Sequence, residues 1–246
     1  DMDGVILDTS YDNYFWQKHI PRVYAKNKDI GDKDAINVTH SLFNYKKNTK
    51  DWYDVIYWSN ILDIDIIKEK KNSENMSLIK LNEGSLDILK RLKDMNKKLF
   101  LITNAHRLTL EVKLSKFDLS KYFNDIICSH ELGYVKEDIQ FWYLLRNRLK
   151  IDYDDSVLIE DTFDNIISAH HAGIKNFIYI NQVKKDITCE HELKESNEIL
   201  REFNVYIKSC KDYIKNRPMN INAIILRIYY DMEKMIKEGK ESLITA

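Results

Sequence analysis

Short apolar runs alternate with helix-period patterns along the second half of the chain. The runs are brief and bounded by polar or turn-forming residues, which favours buried strands over helices. The predicted strands cover residues 98–103, 125–128, 156–159 and 177–180. The predicted helices cover residues 85–95, 108–117, 138–149 and 165–172, the last closed by Gly173. This alternation predicts right-handed βαβ units and a parallel sheet.

The segment ahead of this alternation has a helical pattern throughout. Residues 13–76 carry aromatic and aliphatic side chains at helical spacing, and we expect Pro21 to bend or break the first helix. Beyond the last predicted strand, residues 192–203 and 220–237 also have the pattern of helices. The apolar stripe of the last helix fits packing on the protein's own core, which we favour, or contact with a partner or a second copy.

Composition narrows the functional classes without selecting one. The chain has 246 residues, of which 44% are hydrophobic, enough for one domain with a smaller module. A formal net charge of -1 argues against a nucleic acid polymer or a membrane surface as partner, and no apolar stretch reaches membrane-spanning length. Cys128, Cys189 and Cys210 form no C-x-x-C pair, which indicates a reducing compartment, so we expect a cytoplasmic protein.

The first four residues, Asp1-Met2-Asp3-Gly4, carry the first candidate chemistry. In an extended segment, the carboxylates of Asp1 and Asp3 lie on the same side, because side chains alternate with period two. One carboxylate can then attack phosphorus, and the other can carry protons to and from the leaving oxygen. Like charges this close imply a bound cation such as magnesium. An acidic pair beside a glycine is more often a turn, so this motif alone is weak.

Polar residues at the ends of the predicted strands strengthen that interpretation. Thr103 and Asn104 end one strand, Glu160 and Asp161 end another, and Lys136 precedes a helix. Each has an ordinary explanation as a turn, a helix-capping pair or a surface lysine. Ligands of open parallel sheets bind beyond the carboxyl ends of the strands, so we expect these side chains at one edge of the sheet. Carboxylates for a hard cation, with a hydroxyl and a lysine for phosphate, predict a phosphoryl-transfer site.

In this order and spacing, the motifs resemble those of the haloacid dehalogenase-like (HAD) phosphohydrolase superfamily. The resemblance covers residues 1 to about 180 and rests on Asp1-Met2-Asp3-Gly4-Val5, Thr103-Asn104, Lys136 and Glu160-Asp161. The helical segment after the first motif resembles the cap of the subfamily I members. The stretches 12–21, 51–59, 101–106 and 133–138 resemble purine 5′-nucleotidases.

The resemblance implies an α/β fold, a HAD-like Rossmannoid parallel sheet flanked by helices, with an α-helical cap inserted after the first motif. Residues 1–12 and 84–185 would form the catalytic core, 13–83 the cap and 186–246 a C-terminal helical extension. A first motif of this kind normally ends a strand. Since no apolar run precedes Asp1, we expect the leading, central strand of the sheet to be missing.

The resemblance also implies a role for each motif residue. Asp1 would be the nucleophile that forms an aspartyl-phosphate, and Asp3 would protonate the leaving oxygen and then activate water. Thr103 and Asn104 would hold the phosphoryl oxygens, and Lys136 would neutralise charge on the nucleophile and the phosphate. The implied ligands of the cofactor Mg²⁺ are Asp1, Glu160, Asp161 and Asp3, the last through its backbone carbonyl.

The cap would close over the site and select the leaving group of a small-molecule phosphomonoester. Trp16 is among the aromatic residues that could stack on a purine, and Gln17 and His106 are polar candidates for substrate contact. At helical spacing, however, most aromatic residues of the cap are core residues. For His106, a surface loop histidine is the commoner case.

The leading hypothesis from the sequence is a magnesium-dependent hydrolase of purine 5′-mononucleotides such as GMP and IMP. One alternative keeps the fold and the motifs and changes the substrate, giving a sugar-phosphate phosphatase or a phosphomutase. A second alternative is a non-catalytic phosphate-binding or regulatory relative. Asp3 argues against the dehalogenase branch of the superfamily, which lacks a second aspartate in the first motif.

Overall fold

The structure is a computed structural model that describes residues 1–180 and the backbone of residues 241–244. The helices predicted over 192–203 and 220–237, with the self-association surface suggested for the second, lie outside the described residues. Within residues 1–180, no helix combines the length and the apolar character needed to cross a membrane.

Seven helices follow the first motif and confirm the helical pattern of residues 13–76. They are α1 (Ser10–Tyr14), α2 (Ile20–Lys28), α3 (Asp32–Lys46), α4 (Lys50–Tyr53), α5 (Val55–Leu62), α6 (Ile66–Lys70) and α7 (Ser73–Ser77). This inserted segment is termed the cap. A π-helical turn, Phe15–His19, joins α1 directly to α2. The helix therefore continues through Pro21, and the break expected there does not occur. Pro21 has no N–H to donate, and it stands in the first turn of α2 directly after the π-helical turn, where that loss is tolerated.

Helices of the core match the predicted ones to within two residues at each end, except for one short α-helix and a 3₁₀ turn, Ser120–Tyr122, that were not predicted. They are α8 (Ser85–Asp94), α9 (Arg107–Lys116), the unpredicted α10 (Ser129–Leu132), α11 (Ile139–Leu149) and α12 (Phe163–His171). Leu89 of α8 and Leu110 of α9 belong to one buried cluster, and Phe141 of α11 belongs to another. The strand between them contributes Leu101 to the first cluster and Ile102 to the second, as the period-two alternation of a strand requires.

The described strands are short and parallel, and four of them confirm the predicted strands. They are β1 (Phe100–Thr103), β2 (Asp125–Cys128), β3 (Ser156–Glu160), β4 (Asn176–Tyr179) and β5 (Glu241–Ile244). β1 pairs with β2, and β3 pairs with β4. β1 and β3 are buried along their whole length, which is typical of inner strands covered by helices on both faces.

The paired strands form a two-stranded sheet, β1–β2, and a three-stranded sheet, β4–β3–β5. β5 pairs with β3 on the side opposite to β4 and also lies close to β1, so the spatial order is β2–β1–β5–β3–β4 with β5 between the two sheets. We expected the leading strand to be missing and residues 186–246 to form a helical extension. Residues 241–244 instead form a strand, and this strand takes the position of the missing one. Without β5, the edge of β3 facing β1 would carry unpaired backbone groups, and parallel pairing with β5 satisfies them.

The first motif forms a compact turn and not the extended segment that the sequence predicts. The amides of Ile6 and Leu7 both donate to the carbonyl oxygen of Met2, and the amide of Gly4 donates to the carbonyl oxygen of Leu7. The turn is possible because Gly4 has a φ of 84°. Two carboxylates on the same side of a strand were therefore the wrong geometry.

Candidate active site

The carboxyl ends of β1 and β3 bring distant motif residues together. Thr103 ends β1, Glu160 ends β3, and both side chains are buried. Asp1 lies beside them, because its backbone nitrogen donates a hydrogen bond of 2.7 Å to the carbonyl oxygen of Ile159. Residues from three distant parts of the sequence thus meet at the edge of the sheet where ligands of parallel sheets bind.

Lys136 reaches this edge from the loop before α11. Its ammonium nitrogen is 3.1 Å from a carboxylate oxygen of Asp1 and 2.8 Å from one of Glu160. Its backbone is also fixed, because its N–H donates to Asn104 Oδ1 at 2.9 Å and its carbonyl accepts from the indole of Trp142 at 2.7 Å. The result is a buried positive charge directly beside Asp1.

Three carboxylates form a group that fits a divalent cation. Ligand oxygens of Asp1, Glu160 and Asp161 all lie within 4.8 Å of one another. Burial acts to raise the pKa of Glu160, but the charges of Lys136 and the Asp1 ammonium, together with hydrogen bonds to the carboxylate, act against burial and the pKa is lowered. Burial and the charge of Glu160 raise the pKa of Asp161 to about 7. A divalent cation between these oxygens would favour the ionised form of Asp161, and carboxylate oxygens are ligands that Mg²⁺ prefers.

Gly4 allows Asp161 to approach the first motif. A Cβ atom built on Gly4 would lie 1.8 Å from Oδ2 of Asp161, far closer than any real contact. The positive φ of Gly4 adds a second requirement for glycine at this position. The glycine of the first motif thus serves both the turn and the acidic group.

Asp3 faces a separate set of buried charges. Nζ of Lys113 is 2.6 Å from Asp3 Oδ1 and 2.6 Å from Asp12 Oδ2, and Nζ of Lys70 is 3.3 Å from Asp12 Oδ1. These four residues are termed the charge cluster, and both lysines are buried. Burial raises the pKa of Asp3, with Lys113 acting in the opposite direction, and burial lowers the pKa of Lys70 to about 8.

Hydrogen bonds connect the edge of the sheet to the cap. Nδ2 of Asn104 donates to Glu137 Oε2 at 2.8 Å, and the hydroxyl of Tyr53 donates to Glu137 Oε1 at 2.6 Å. Burial and the charge of Glu137 raise the pKa of Tyr53, so its hydroxyl remains a donor. Tyr53 ends α4 of the cap. The orientation of Asn104 and the position of the cap are therefore coupled.

A cavity of about 700 Å³ lies between the edge of the sheet and the cap. This volume is within the usual range of small-molecule sites. Residues that line its core end include Asp1, Thr103, Asn104, Lys136 and Asp161. Residues that line its cap end include Trp16, Gln17, His40, Phe43, Asn44 and Trp52. The cavity therefore joins a charged end to an aromatic and polar end.

Three residues that line this cavity have a buried polar atom without a hydrogen-bond partner in the described part of the chain. The atoms are His40 Nε2, Thr109 Oγ1 and Asn165 Oδ1. Buried polar atoms are paired in the great majority of cases, so unpaired ones around a cavity point to a ligand that carries polar groups.

Most residues singled out in the sequence line this cavity. They are Asp1, Asp3, Trp16, Gln17, Thr103, Asn104, Lys136 and Asp161. Glu160 lies behind the lining and contacts the site through Lys136. The carboxylate of Asp3 is outside the group of three acidic side chains, which leaves only its backbone carbonyl for the metal contact expected of it.

His106 does not line the cavity, in contrast to its prediction as a substrate-binding residue. Its Nδ1 accepts a hydrogen bond of 3.3 Å from the amide of Leu108 and so caps the first turn of α9. The position directly before a helix decides its role, because an unsatisfied helix amide is the nearest partner for the ring.

Asp12, Lys70 and Lys113 of the charge cluster, and His40 of the cap, were not predicted from the sequence. Lys113 lies on the buried side of α9 together with Leu110 and Val112, and a lysine in the apolar phase of a helix is a signal that could have identified it. His40 carries no comparable signal, because its place beside the cavity depends on how the cap folds over the core.

Fold and site together define a capped α/β hydrolase of the kind that transfers phosphoryl groups. Comparison with protein families agrees, since the model of the haloacid dehalogenase-like hydrolase family matches residues 1–179. The chain belongs to this family and is an enzyme, which confirms the resemblance seen in the motifs.

Individual relatives include two curated phosphatases. The GMP/IMP nucleotidase YrfG of Escherichia coli strain K12 is 30% identical over 175 residues, which cover 71% of this chain and 78% of the relative. The "Phosphorylated carbohydrates phosphatase" of Thermotoga maritima is 24% identical over 191 residues, which cover 71% of this chain and 80% of the relative. Among solved structures, a HAD phosphatase from Thermococcus onnurineus has a TM-score of 0.64 at 18% identity, covering 79% of this chain and 94% of that one.

Proposed function

We propose that this enzyme is a magnesium-dependent phosphomonoester hydrolase that removes phosphate from purine 5′-mononucleotides such as GMP and IMP. The observation that carries the proposal is the convergence of Asp1, Lys136 and Asp161 at one end of a cavity whose other end is lined by aromatic residues. The charged end suits a phosphoryl group, and the aromatic end suits a purine base.

The first step transfers the phosphoryl group to Asp1. A carboxylate oxygen of Asp1 attacks phosphorus, and the bond between phosphorus and the 5′ oxygen of the nucleoside breaks. Asp3 gives its proton to that oxygen, so the nucleoside leaves as a neutral alcohol. Lys136, 3.1 Å from Asp1, balances the charge on the transferred group, and the hydroxyl of Thr103 donates to a phosphoryl oxygen.

The second step hydrolyses the aspartyl-phosphate. Asp3, now ionised, takes a proton from a water molecule, whose oxygen attacks phosphorus. The bond between phosphorus and the Asp1 carboxylate breaks, and inorganic phosphate leaves. Asp1 is again ionised and Asp3 again protonated. The raised pKa of Asp3, caused by burial, suits a group that must hold a proton before the first step.

Asp1, Glu160 and Asp161, with the backbone carbonyl of Asp3, would hold the magnesium ion. Bound there, the ion would supply positive charge to the phosphoryl oxygens. The closeness of the three carboxylates and the raised pKa of Asp161 support this ligand set.

The cap end of the cavity supports a purine leaving group. Trp16, Phe43 and Trp52 line it and offer aromatic surfaces on which a base can stack. Gln17 and His40 lie among them and can donate to or accept from the edge of a base. The name of the Escherichia coli relative, a GMP/IMP nucleotidase, agrees with this choice.

Sugar phosphates are the second candidate substrates. The Thermotoga maritima relative is named for phosphorylated carbohydrates, and the unpaired atoms of His40, Thr109 and Asn165 would also suit sugar hydroxyls. The same motifs would then serve a sugar-phosphate phosphatase or a phosphomutase.

Phosphate release from a panel of 5′-nucleotides and sugar phosphates, with and without magnesium, tests this proposal. We expect magnesium-dependent release that is fastest with GMP and IMP. Faster release from sugar phosphates would keep the chemistry and replace the substrate. A folded protein that releases no phosphate from any compound would contradict the proposal and favour a non-catalytic phosphate-binding role.

Replacement of Asp3 by asparagine tests the proton-transfer step. We expect Asp3→Asn to lower kcat by roughly 10²- to 10⁴-fold, the usual contribution of a positioned acid–base group. The fold should persist, because Lys113 keeps its contact of 2.6 Å with Asp12. The measurement is kcat with GMP at saturating magnesium, with circular dichroism to check folding. An unchanged kcat would mean that another group moves the proton.

A further inference from the structure

Lys113 of the charge cluster lies directly beside Asp3, the proposed acid–base residue. Nζ of Lys113 is 2.6 Å from Oδ1 of Asp3, which lines the cavity. Oδ2 of Asp3 accepts no hydrogen bond from the residues that the structure describes. Lys113 thus holds one oxygen of the carboxylate and leaves the other available to a ligand in the cavity.

The lysine that contacts Asp3 is buried, which restricts how the two side chains can be arranged. Nζ of Lys113 is brought to Asp3 from α9, and its side chain is only 2% exposed. Removal of a lysine from water is unfavourable unless carboxylates compensate for it, and apolar side chains of similar volume usually fill such a place at least as well. A lysine at this position is therefore not explained by packing alone. Its contact with Asp3 fixes the direction of the Asp3 carboxylate, which would otherwise rotate about its side-chain bonds.

The contact also ties Asp3 to the cap. Lys113 is bound at 2.6 Å to Asp12 of α1, and Asp12 is bound at 3.3 Å to Lys70 at the end of α6. Nζ of Lys70 lies 4.2 Å from the ring centroid of Phe15, which extends the connection into the core of the cap. Lys113 is the member of the cluster that contacts both Asp3 and the cap.

We propose that Lys113 is a positioning residue that holds the Asp3 carboxylate in the orientation needed to exchange a proton with the leaving oxygen and with water. The inference rests on the proposed function, because it requires Asp3 to be the acid–base group. It concerns geometry: a misplaced carboxylate lowers the rate even when its charge is intact.

Two substrates with different leaving groups separate positioning from a general loss of structure. p-Nitrophenolate leaves without a proton, so formation of the aspartyl-phosphate from p-nitrophenyl phosphate does not need Asp3. Hydrolysis of the aspartyl-phosphate still needs Asp3, because water must lose a proton. With Lys113→Met we expect turnover of GMP to fall by roughly 10- to 100-fold. With p-nitrophenyl phosphate we expect a burst of p-nitrophenol equal to the enzyme concentration, followed by slow turnover. The wild-type enzyme should show no such accumulation.

A control variant matches the change. Lys116→Met removes an exposed lysine from the same helix, whose ammonium donates to the carbonyl oxygens of Met76 and Ser77. It should produce no burst, and it should not change the ratio of the two activities by more than about twofold, because Asp3 keeps its partner Lys113.

A double variant tests whether Lys113 acts through Asp3. In the Asp3→Asn background, Lys113→Met should cause almost no further loss of GMP turnover, since the group that it positions is already inactive. If Lys113→Met does not fold, Lys113→Arg is the alternative variant. It keeps the positive charge but places the hydrogen-bond donor elsewhere, so we expect the same burst with a smaller loss of turnover.

The outcomes separate the inference from the proposed function. Equal losses on both substrates without a burst, or fully additive losses in the double variant, would overturn the role of Lys113 while leaving the phosphatase intact. A wild-type enzyme that is inactive on every phosphomonoester would overturn the proposed function itself.

Discussion

Asp1→Asn is expected to lower phosphatase turnover by at least about 10⁴-fold, because it replaces the carboxylate that forms the proposed covalent intermediate with an amide. An amide is a far weaker nucleophile than a carboxylate, and Lys136 would then have no charge on Asp1 to balance. The fold should persist, since Lys136 keeps its 2.8 Å contact with Glu160 and the backbone bond of Asp1 to Ile159 is unchanged. The measurements are phosphate release with GMP and trapping of the aspartyl-phosphate by acid quench.

Asp8→Asn is the matched control for this variant. Asp8 lies in the same segment, but it does not line the cavity and bonds to the amide of Ser10. The same chemical change at Asp8 should leave turnover within about threefold, as for most substitutions away from a site. Metal-dependent turnover that survives in folded Asp1→Asn would remove Asp1 from its role as nucleophile.

The sheet and its flanking helices could be predicted because their signals are local. Each strand is a short apolar run with polar ends, and each helix has its own period, so the four predicted strands and the long helices of the core were found. β5 could not be predicted in this way. Residues 241–244 are a strand because they pair with β3, from which about 80 residues separate them, and no local pattern encodes such a partner.

The candidate site was predictable to the extent that it follows from topology. Two pairs of site residues stand where strands end, Thr103 and Asn104 at β1 and Glu160 and Asp161 at β3. Parallel strands place such residues at one edge of the sheet. The geometry of the first motif was not predictable in the same way, because the turn depends on a glycine with positive φ. The charge cluster and His40 depend on contact between the cap and the core, which a single sequence does not show.

Gly4→Ala is the second variant for which we expect a large loss of activity. Backbone strain at Gly4 and displacement of the Asp161 carboxylate both contribute to the loss. A side chain at a φ of 84° adds strain of roughly 1–2 kcal/mol. Its Cβ would also lie 1.8 Å from Oδ2 of Asp161, so the carboxylate must leave its place beside Asp1 and Glu160. A shift of about 1 Å in a catalytic group lowers activity roughly 10²-fold, so we expect kcat/KM with GMP to fall at least that far.

Two other glycines separate the strain from the displacement of Asp161. Gly133 has a φ of 81° and Gly173 one of 109°, and a Cβ built on either has no atom within 4 Å. Gly133→Ala and Gly173→Ala should therefore lower the free energy of unfolding much as strain alone does, with kcat/KM changed by only a few-fold. Magnesium should protect these two variants against thermal unfolding as it protects the wild type, whereas Gly4→Ala should lose that protection. If Gly4→Ala loses no more activity than the two controls, Asp161 does not need the position that the structure gives it, and the acidic group is not the metal site.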